Sequence, residues 1–186
     1  MASRTQIVCL CEGAKGRSID PVFINTLFKS LRPKWLRKTG TNWIRLEPRG
    51  GRAAVIADMP GELKRCGASA TLMVWADVDD DRQNGDELKA DFWREAERQG
   101  VSRDDFDRVV FVFAKDRLEN WIEFLSTGTT DESKEGRRVM HGRAVADAAK
   151  KLADYCKSGK PLDDIPPSLR WSCENWRAFA KRMEKT

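Results

Sequence analysis

The sequence predicts an α/β fold: a mainly parallel central sheet flanked by helices, with a small helical C-terminal extension. Three observations carry this. Apolar runs of strand length recur at Gln6–Cys11, Thr71–Ala76 and Arg108–Phe113, near-continuous as expected of parallel strands covered on both faces. Stretches with helical spacing alternate with them. Acidic residues, finally, stand just past the end of each run, where open α/β sheets place their sites.

The first run ends in Glu12-Gly13-Ala14-Lys15-Gly16-Arg17, a glycine turn carrying one acid and two bases. Asp20-Pro21 then predicts a helix start, with Asp as N-cap and Pro at the first helical position. Val22, Phe23, Leu27, Phe28 and Leu31 keep helical spacing behind it. The turn is neither a P-loop nor a dinucleotide-binding turn, because its glycines do not fit either spacing. Residues 32–52 are basic and aromatic, with Lys34, Trp35, Arg37, Lys38, Trp43 and Arg52 among them. Trp43-Ile44-Arg45-Leu46 alternates as a second strand closed by Pro48 and Gly50-Gly51. Tryptophans mixed with bases either grip nucleic acid or simply pack. A short helix is expected over Glu62–Cys66, after Pro60-Gly61.

Thr71–Ala76 is the pivotal strand. It releases Asp77, Asp79, Asp80 and Asp81 within five residues. Alternation along an extended chain sends Asp77 and Asp79 to the same side. Such a pair repels itself unless a cation intervenes, and Mg²⁺ takes one or two carboxylates plus substrate phosphate. Gln83–Gln99 follows as an amphipathic helix. Arg108–Phe113 is the next strand, with Lys115 and Glu119 just beyond it and a helix through Leu125. Thr127–Gly136 is a loop. His141–Lys157 reads as a helix with Ala144, Val145, Ala148, Leu152 and Tyr155 inward. A linker spans Pro161–Pro167, and Ser168–Met183 docks Trp171, Trp176 and Phe179 on the body. Residues 1–125 thus form the α/β domain, and 126–186 a helical extension packed on it.

Charge follows the same division. Residues 1–52 hold 11 Lys/Arg against 3 Asp/Glu, residues 53–135 hold 11 against 20, and residues 136–186 hold 12 against 6. Basic flanks around an acidic centre suit a metal-dependent enzyme acting on a polyanion, although charges also cluster by segment for no functional reason. No stretch reaches the ~20 apolar residues of a membrane span, and a cytoplasmic location is expected. The five cysteines, Cys9, Cys11, Cys66, Cys156 and Cys173, read as reduced thiols. With a single histidine, His141, they lack zinc-site spacing.

The acidic stretch has other readings. A calcium loop starting at Asp77 needs glycine sixth and glutamate twelfth, and finds Arg82 and Leu88. A phosphatase with Asp77 as nucleophile leaves Glu12 unexplained. A solvated loop capping the next helix, with Asp86 and Glu87 near its positive end, stays open.

Glu12-Gly13 after the first strand, with Asp77-Val78-Asp79 after a later one, resembles the Toprim domain of topoisomerases, DnaG-type primases, OLD-family nucleases and small ribonucleases. The resemblance covers roughly residues 6–125 and implies a Rossmann-like Toprim fold. Arg117-Leu118-Glu119-Asn120-Trp121 is similar to a helix of small stand-alone Toprim-like proteins, several of them linked to phage defence. The family implies a Mg²⁺-dependent (or Mn²⁺-dependent) nuclease acting on DNA or RNA. Asp77 and Asp79 would hold the metal, and Glu12 would act as ligand or proton-transfer group. Lys15, Arg17 and Lys115 would steady phosphate oxygens, Glu119 would help with a second metal, and Lys34, Arg37 and Lys38 would bind nucleic acid. The ATPase module of OLD nucleases and the tyrosine domain of topoisomerases are missing, so a separate ATPase or other defence-system partner is implied. A non-catalytic module binding nucleic acid or protein is the alternative.

Overall fold

The computed structural model describes residues 6–14, 18–31, 43–79, 81–139, 142–158 and 165–184. Four strands lie among them: β1 (Ile7–Cys11), β2 (Ile44–Pro48), β3 (Thr71–Val78) and β4 (Val110–Lys115). The helices are α1 (Asp20–Leu31), α2 (Arg52–Cys66), α3 (Gly85–Arg98), α4 (Arg103–Phe106), α5 (Leu118–Thr127), α6 (Gly142–Ser158) and α7 (Pro167–Glu184). All strand pairs are parallel, in the order β2-β1-β3-β4. This is a Rossmann-like α/β fold. The chain steps from β1 outward to β2 and then back across β1 to β3, so the order reverses between β1 and β3. Ile7 stands opposite Ile44 on one side and Thr71 on the other.

Alternation divides the core in two. Ile7, Cys9, Cys11, Met73, Trp75 and Val112 point to one face, covered by α1, α5, α6 and α7. Val8, Leu10, Leu72, Val74, Ala76, Val78, Phe111 and Phe113 point to the other, under α2, α3 and α4. With both faces covered, β1, β3 and β4 have almost no solvent side, which is why they read as unbroken apolar runs, whereas the edge strand β2 is only partly buried and alternates. Trp43 is buried and meets Phe28 edge-on at 5.5 Å, so this tryptophan packs.

The outer edge of β4 is closed by a helix rather than a strand. The Phe113 N–H donates to Ser172 Oγ (2.9 Å), that hydroxyl donates back to the Phe113 carbonyl (3.1 Å), and Asn175 Nδ2 donates to the Phe111 carbonyl (3.2 Å). Backbone groups on a sheet edge that would otherwise invite another strand are therefore satisfied by α7 side chains.

Several expectations change. Helix α2 begins at Arg52 and runs through Pro60 and Gly61 instead of starting after them. Pro60 has no N–H for the Ile56 carbonyl, but Val55, Met59, Pro60 and Leu63 are buried together, and that packing outweighs the lost bond. Strand β3 continues two residues past Ala76, so Asp77 lies inside the sheet opposite Ala114. Asp20 is within the first turn of α1, and it is the Ile19 carbonyl that accepts the opening bond, from the Phe23 N–H at 2.9 Å. On α6, Ala144 and Tyr155 are exposed, and Ala149 and Ala153 face inward with Val145, Ala148 and Leu152. No helix of the described residues is long and apolar enough to cross a membrane.

Candidate active site

The carboxyl ends of β1 and β3 meet where the strand order reverses, the position at which parallel sheets open a crevice. Glu12 leaves β1 there. Gly13 lets the turn fold tightly onto the start of α1: a Cβ at this position would stand 2.5 Å from Ser18 Oγ and 2.8 Å from Ser18 Cβ. Ser18 in turn fixes Asp20, accepting its N–H at 3.2 Å and donating its hydroxyl to the Asp20 carboxylate.

Glu12 reaches across to β3. Its Oε1 accepts the Asp77 N–H at 2.9 Å, joining the two acids through one carboxylate and one backbone donor. Asp77 shares a face with Met73 and Trp75, toward α1 and α5. Its Oδ1 is sealed from solvent without a hydrogen-bond partner. Asp20 and Glu119, at the starts of α1 and α5, add negative charge on this same side.

Electrostatics record the crowding. Burial raises the Glu12 carboxyl to about 7; the Asp77 N–H opposes the rise, and nearby Asp79 adds to it. Burial likewise pushes Asp77 well above the usual carboxylate range, and the charges of Glu12, Asp20, Asp79 and Glu119 push further. Glu119 is raised too, by burial first and then Asp20, against its own backbone N–H and the cations Arg117 and Arg138. Cys11 lies next to these acids, but burial holds its thiol at about 12, so it carries no thiolate near neutrality.

Two expected members have other partners. Asp79 lies beyond β3, and its carboxylate turns to Arg52 at the start of α2, with Oδ2 3.1 Å from Nη1. Asp79 thus has a partner of its own, although its charge still reaches both Glu12 and Asp77. Asp77 faces the α1 and α5 side, and Asp79 is drawn to α2, which packs on the opposite face. The extended backbone ends at Val78, one residue too early for alternation to govern Asp79. Lys115 is also drawn away. Its ammonium donates to the carbonyls of Asp79 (3.2 Å) and Arg82 (2.8 Å), shaping the loop after β3 instead of facing the acids. Lys15, Arg17, Lys34, Arg37, Lys38 and His141 lie outside the described residues.

Among the described residues, no group of three or more His, Cys, Asp or Glu is gathered tightly enough to hold a metal ion. The chemistry of the donors still suits a hard cation: they are all carboxylates, two have been raised by burial and mutual repulsion, and one oxygen has no partner.

Arg52 and Asp20 are the residues that reading the sequence did not place here. Helices that follow parallel strands begin at the sheet's carboxyl edge, so Gly50-Gly51-Arg52, once seen as a helix start, belonged with the acids from the outset. The Pro60 break concealed it. Compared with family models, curated proteins and solved structures, the chain gives no match.

Proposed function

We propose that this chain is a Mg²⁺-dependent nuclease of Toprim type, hydrolysing phosphodiester bonds of DNA or RNA, with Mn²⁺ able to replace Mg²⁺. The observation that carries the reading is the Glu12–Asp77 pair: two acids joined at the switch point, both driven up by burial, with Asp77 Oδ1 unpartnered. Such an arrangement is unfavourable alone and is relieved by a cation. Asp77 and Asp79 would hold the ion, and Glu12 would complete the site as ligand or proton-transfer group. When bound, a divalent cation polarises the phosphate and lowers the pKa of an attacking water.

The chain's own groups supply the rest. Glu12, titrating at about 7, exchanges a proton readily near neutrality and suits the role of general base. It takes the proton of the attacking water as the new P–O bond forms, while the opposite P–O ester bond breaks and the leaving oxygen is protonated from solvent. Arg138 and Arg117, whose charges reach Glu119, would join Lys115 as cations for phosphate oxygens, Arg117 in exchange for its ion pair with Glu135. The basic residues Lys15, Arg17, Lys34, Arg37 and Lys38 would attract the nucleic-acid backbone. The Toprim resemblance extends the proposal to a cytoplasmic phage-defence or toxin effector working with a separate ATPase or other defence-system protein.

Incubating the full chain with supercoiled plasmid and with structured RNA, in Mg²⁺ or Mn²⁺, tests the reading. Cleavage is expected to disappear with chelator, with Asp77→Asn and with Glu12→Gln. Cleavage that survives both substitutions sinks the mechanism. A second reading, a module that binds nucleic acid without cutting it, draws support from the engagement of Asp79 by Arg52 and of Lys115 by carbonyls. Salt-sensitive binding without turnover, indifferent to Glu12→Ala, would favour it.

A further inference from the structure

Arg52 opens α2 immediately after Gly50-Gly51, at the edge of the sheet where the acids gather. Its guanidinium divides between two carboxylates: Nη1 lies 3.1 Å from Asp79 Oδ2, and Nη2 lies 3.1 Å from Asp81 Oδ2. The arginine side chain is 22% exposed, against 56% and 50% for its partners. Among the described residues it is the cation ion-paired with the Asp79 carboxylate, since Lys115 binds that residue's carbonyl instead. Its charge also reaches Glu12, where it opposes the effect of burial and of Asp79.

These contacts leave the cluster divided. On the α1 and α5 side, Asp77 has an unpartnered, sealed oxygen; on the α2 side, Asp79 has a fixed positive charge. The guanidinium donates a hydrogen bond to Asp81 through Nη2, while Nη1 meets Asp79 as an ion pair without hydrogen-bond alignment, so one arginine engages two separate carboxylates at once. We propose that Arg52 is the internal counter-ion of this site: it holds the Asp79 carboxylate when no divalent cation is bound, and competes with such a cation for it. The inference rests on the reading of Glu12, Asp77 and Asp79 as a divalent-cation site. It accounts for the engagement of the Asp79 carboxylate by Arg52, because a guanidinium and a divalent ion cannot hold the same oxygen together. The pair is half in solvent, where ion pairs are weak, so it can be broken easily.

The test is Mn²⁺ binding to the full chain, followed by calorimetry and by the Mn²⁺ paramagnetic resonance signal, in wild type, Arg52→Gln, Arg52→Lys, Asp79→Asn and the Arg52→Gln/Asp79→Asn double variant. Removing a partly exposed competitor should tighten binding by about two- to fivefold in Arg52→Gln. Arg52→Lys, a point charge unable to span both acids, should fall between it and wild type, and it decides the matter if Arg52→Gln does not fold. In the Asp79→Asn background, replacing Arg52 should change nothing, which separates competition for Asp79 from a general loss of positive charge. Unchanged or weaker binding in Arg52→Gln overturns the competition, and so does equal tightening with and without Asp79. If neither wild type nor any variant binds Mn²⁺, the cation site itself is wrong and Arg52 falls with it.

Discussion

Glu12 is ionisable at a position where water is scarce and its neighbours are anions, and the consequence is a stability that depends on pH. Its carboxyl ordinarily titrates near 4.5 and in the folded chain near 7. The unfolded chain therefore releases this proton first. As pH rises from about 4.5 to about 7, folding loses stability by up to roughly 1.4 kcal/mol per unit, a total on the order of 3.4 kcal/mol before allowing for the water that still reaches the group, which lowers it. Below that window the proton is on in both states and the penalty is absent. Above it the penalty is complete. Glu12→Gln keeps an oxygen for the Asp77 N–H and carries no charge, so it should be more stable than wild type near pH 8 and lose the advantage near pH 4. Denaturant midpoints at both pH values measure this, and an equal difference at the two would refute the burial argument. Asp77 is raised in the same direction, so it steepens the wild-type profile. Gly13 is the steric counterpart. Gly13→Ala drives a methyl into the Ser18 side chain and should cost about 1–3 kcal/mol, read as a lowered melting temperature. No loss would mean that the turn can open away from α1.

Between elements, the contact most open to test is α7 against the outer edge of β4. Ser172 is buried, with its hydroxyl serving both the N–H and the carbonyl of Phe113. Ser172→Ala leaves both backbone groups buried without that partner, at about 1–3 kcal/mol. For a chain of this size that is about 2–4 °C of melting temperature per kcal/mol. Hydrogen exchange at the Phe113 amide should quicken more than at neighbouring β4 amides, and unchanged protection there would show that α7 does not seal the edge. The elements themselves were mostly legible, because period and length speak plainly in Ile7–Cys11, in Thr71–Ala76 and in the stripe Leu88, Phe92 and Ala96. What was not legible depended on contacts between segments distant in the chain. Pro60 signals a break locally, and only the apolar neighbours packed around it keep α2 whole. Tyr155 has the spacing of a core residue and is 37% exposed, because α6 turns its small residues Ala149 and Ala153 toward the body. The acids of the site were found by their position at strand ends. Their pairing was not, since the grip of Arg52 on Asp79 depends on where a crossover helix begins.

At the scale of the whole molecule, the question is whether the chain can be divided near residue 125. The face of the sheet that carries Asp77 is roofed by α1 and α5 together with α6 and α7, all in one continuous apolar cluster. Trp176 meets Phe28 edge-on at 5.5 Å, and the Trp121 indole donates to Ser168 Oγ at 2.8 Å, a hydroxyl that also donates to the Glu132 carboxylate. Removing the C-terminal helices would expose Phe28, Trp75 and Trp121 and forfeit the burial of Leu152, Leu169, Trp176 and Phe179. At about 1.5–3 kcal/mol for each large side chain, those four alone amount to roughly 6–12 kcal/mol. That is as much as the roughly 5–15 kcal/mol by which a folded domain exceeds its unfolded state. A chain ended after Thr127 should therefore lose its cooperative thermal transition and bind a hydrophobic dye, whereas the full chain melts in a single step. Loss of α7 also uncovers the edge of β4, an invitation to strand pairing between molecules, so the shortened chain should aggregate as its concentration rises. A sharp melt and a monomeric, dye-free fragment would show instead that the sheet with α1 to α5 is complete without its roof. In that case the acid cluster, formed wholly by residues before Thr127, would keep its geometry in the fragment. The expected failure ties the arrangement of Glu12 and Asp77 to helices that contribute no side chain to it.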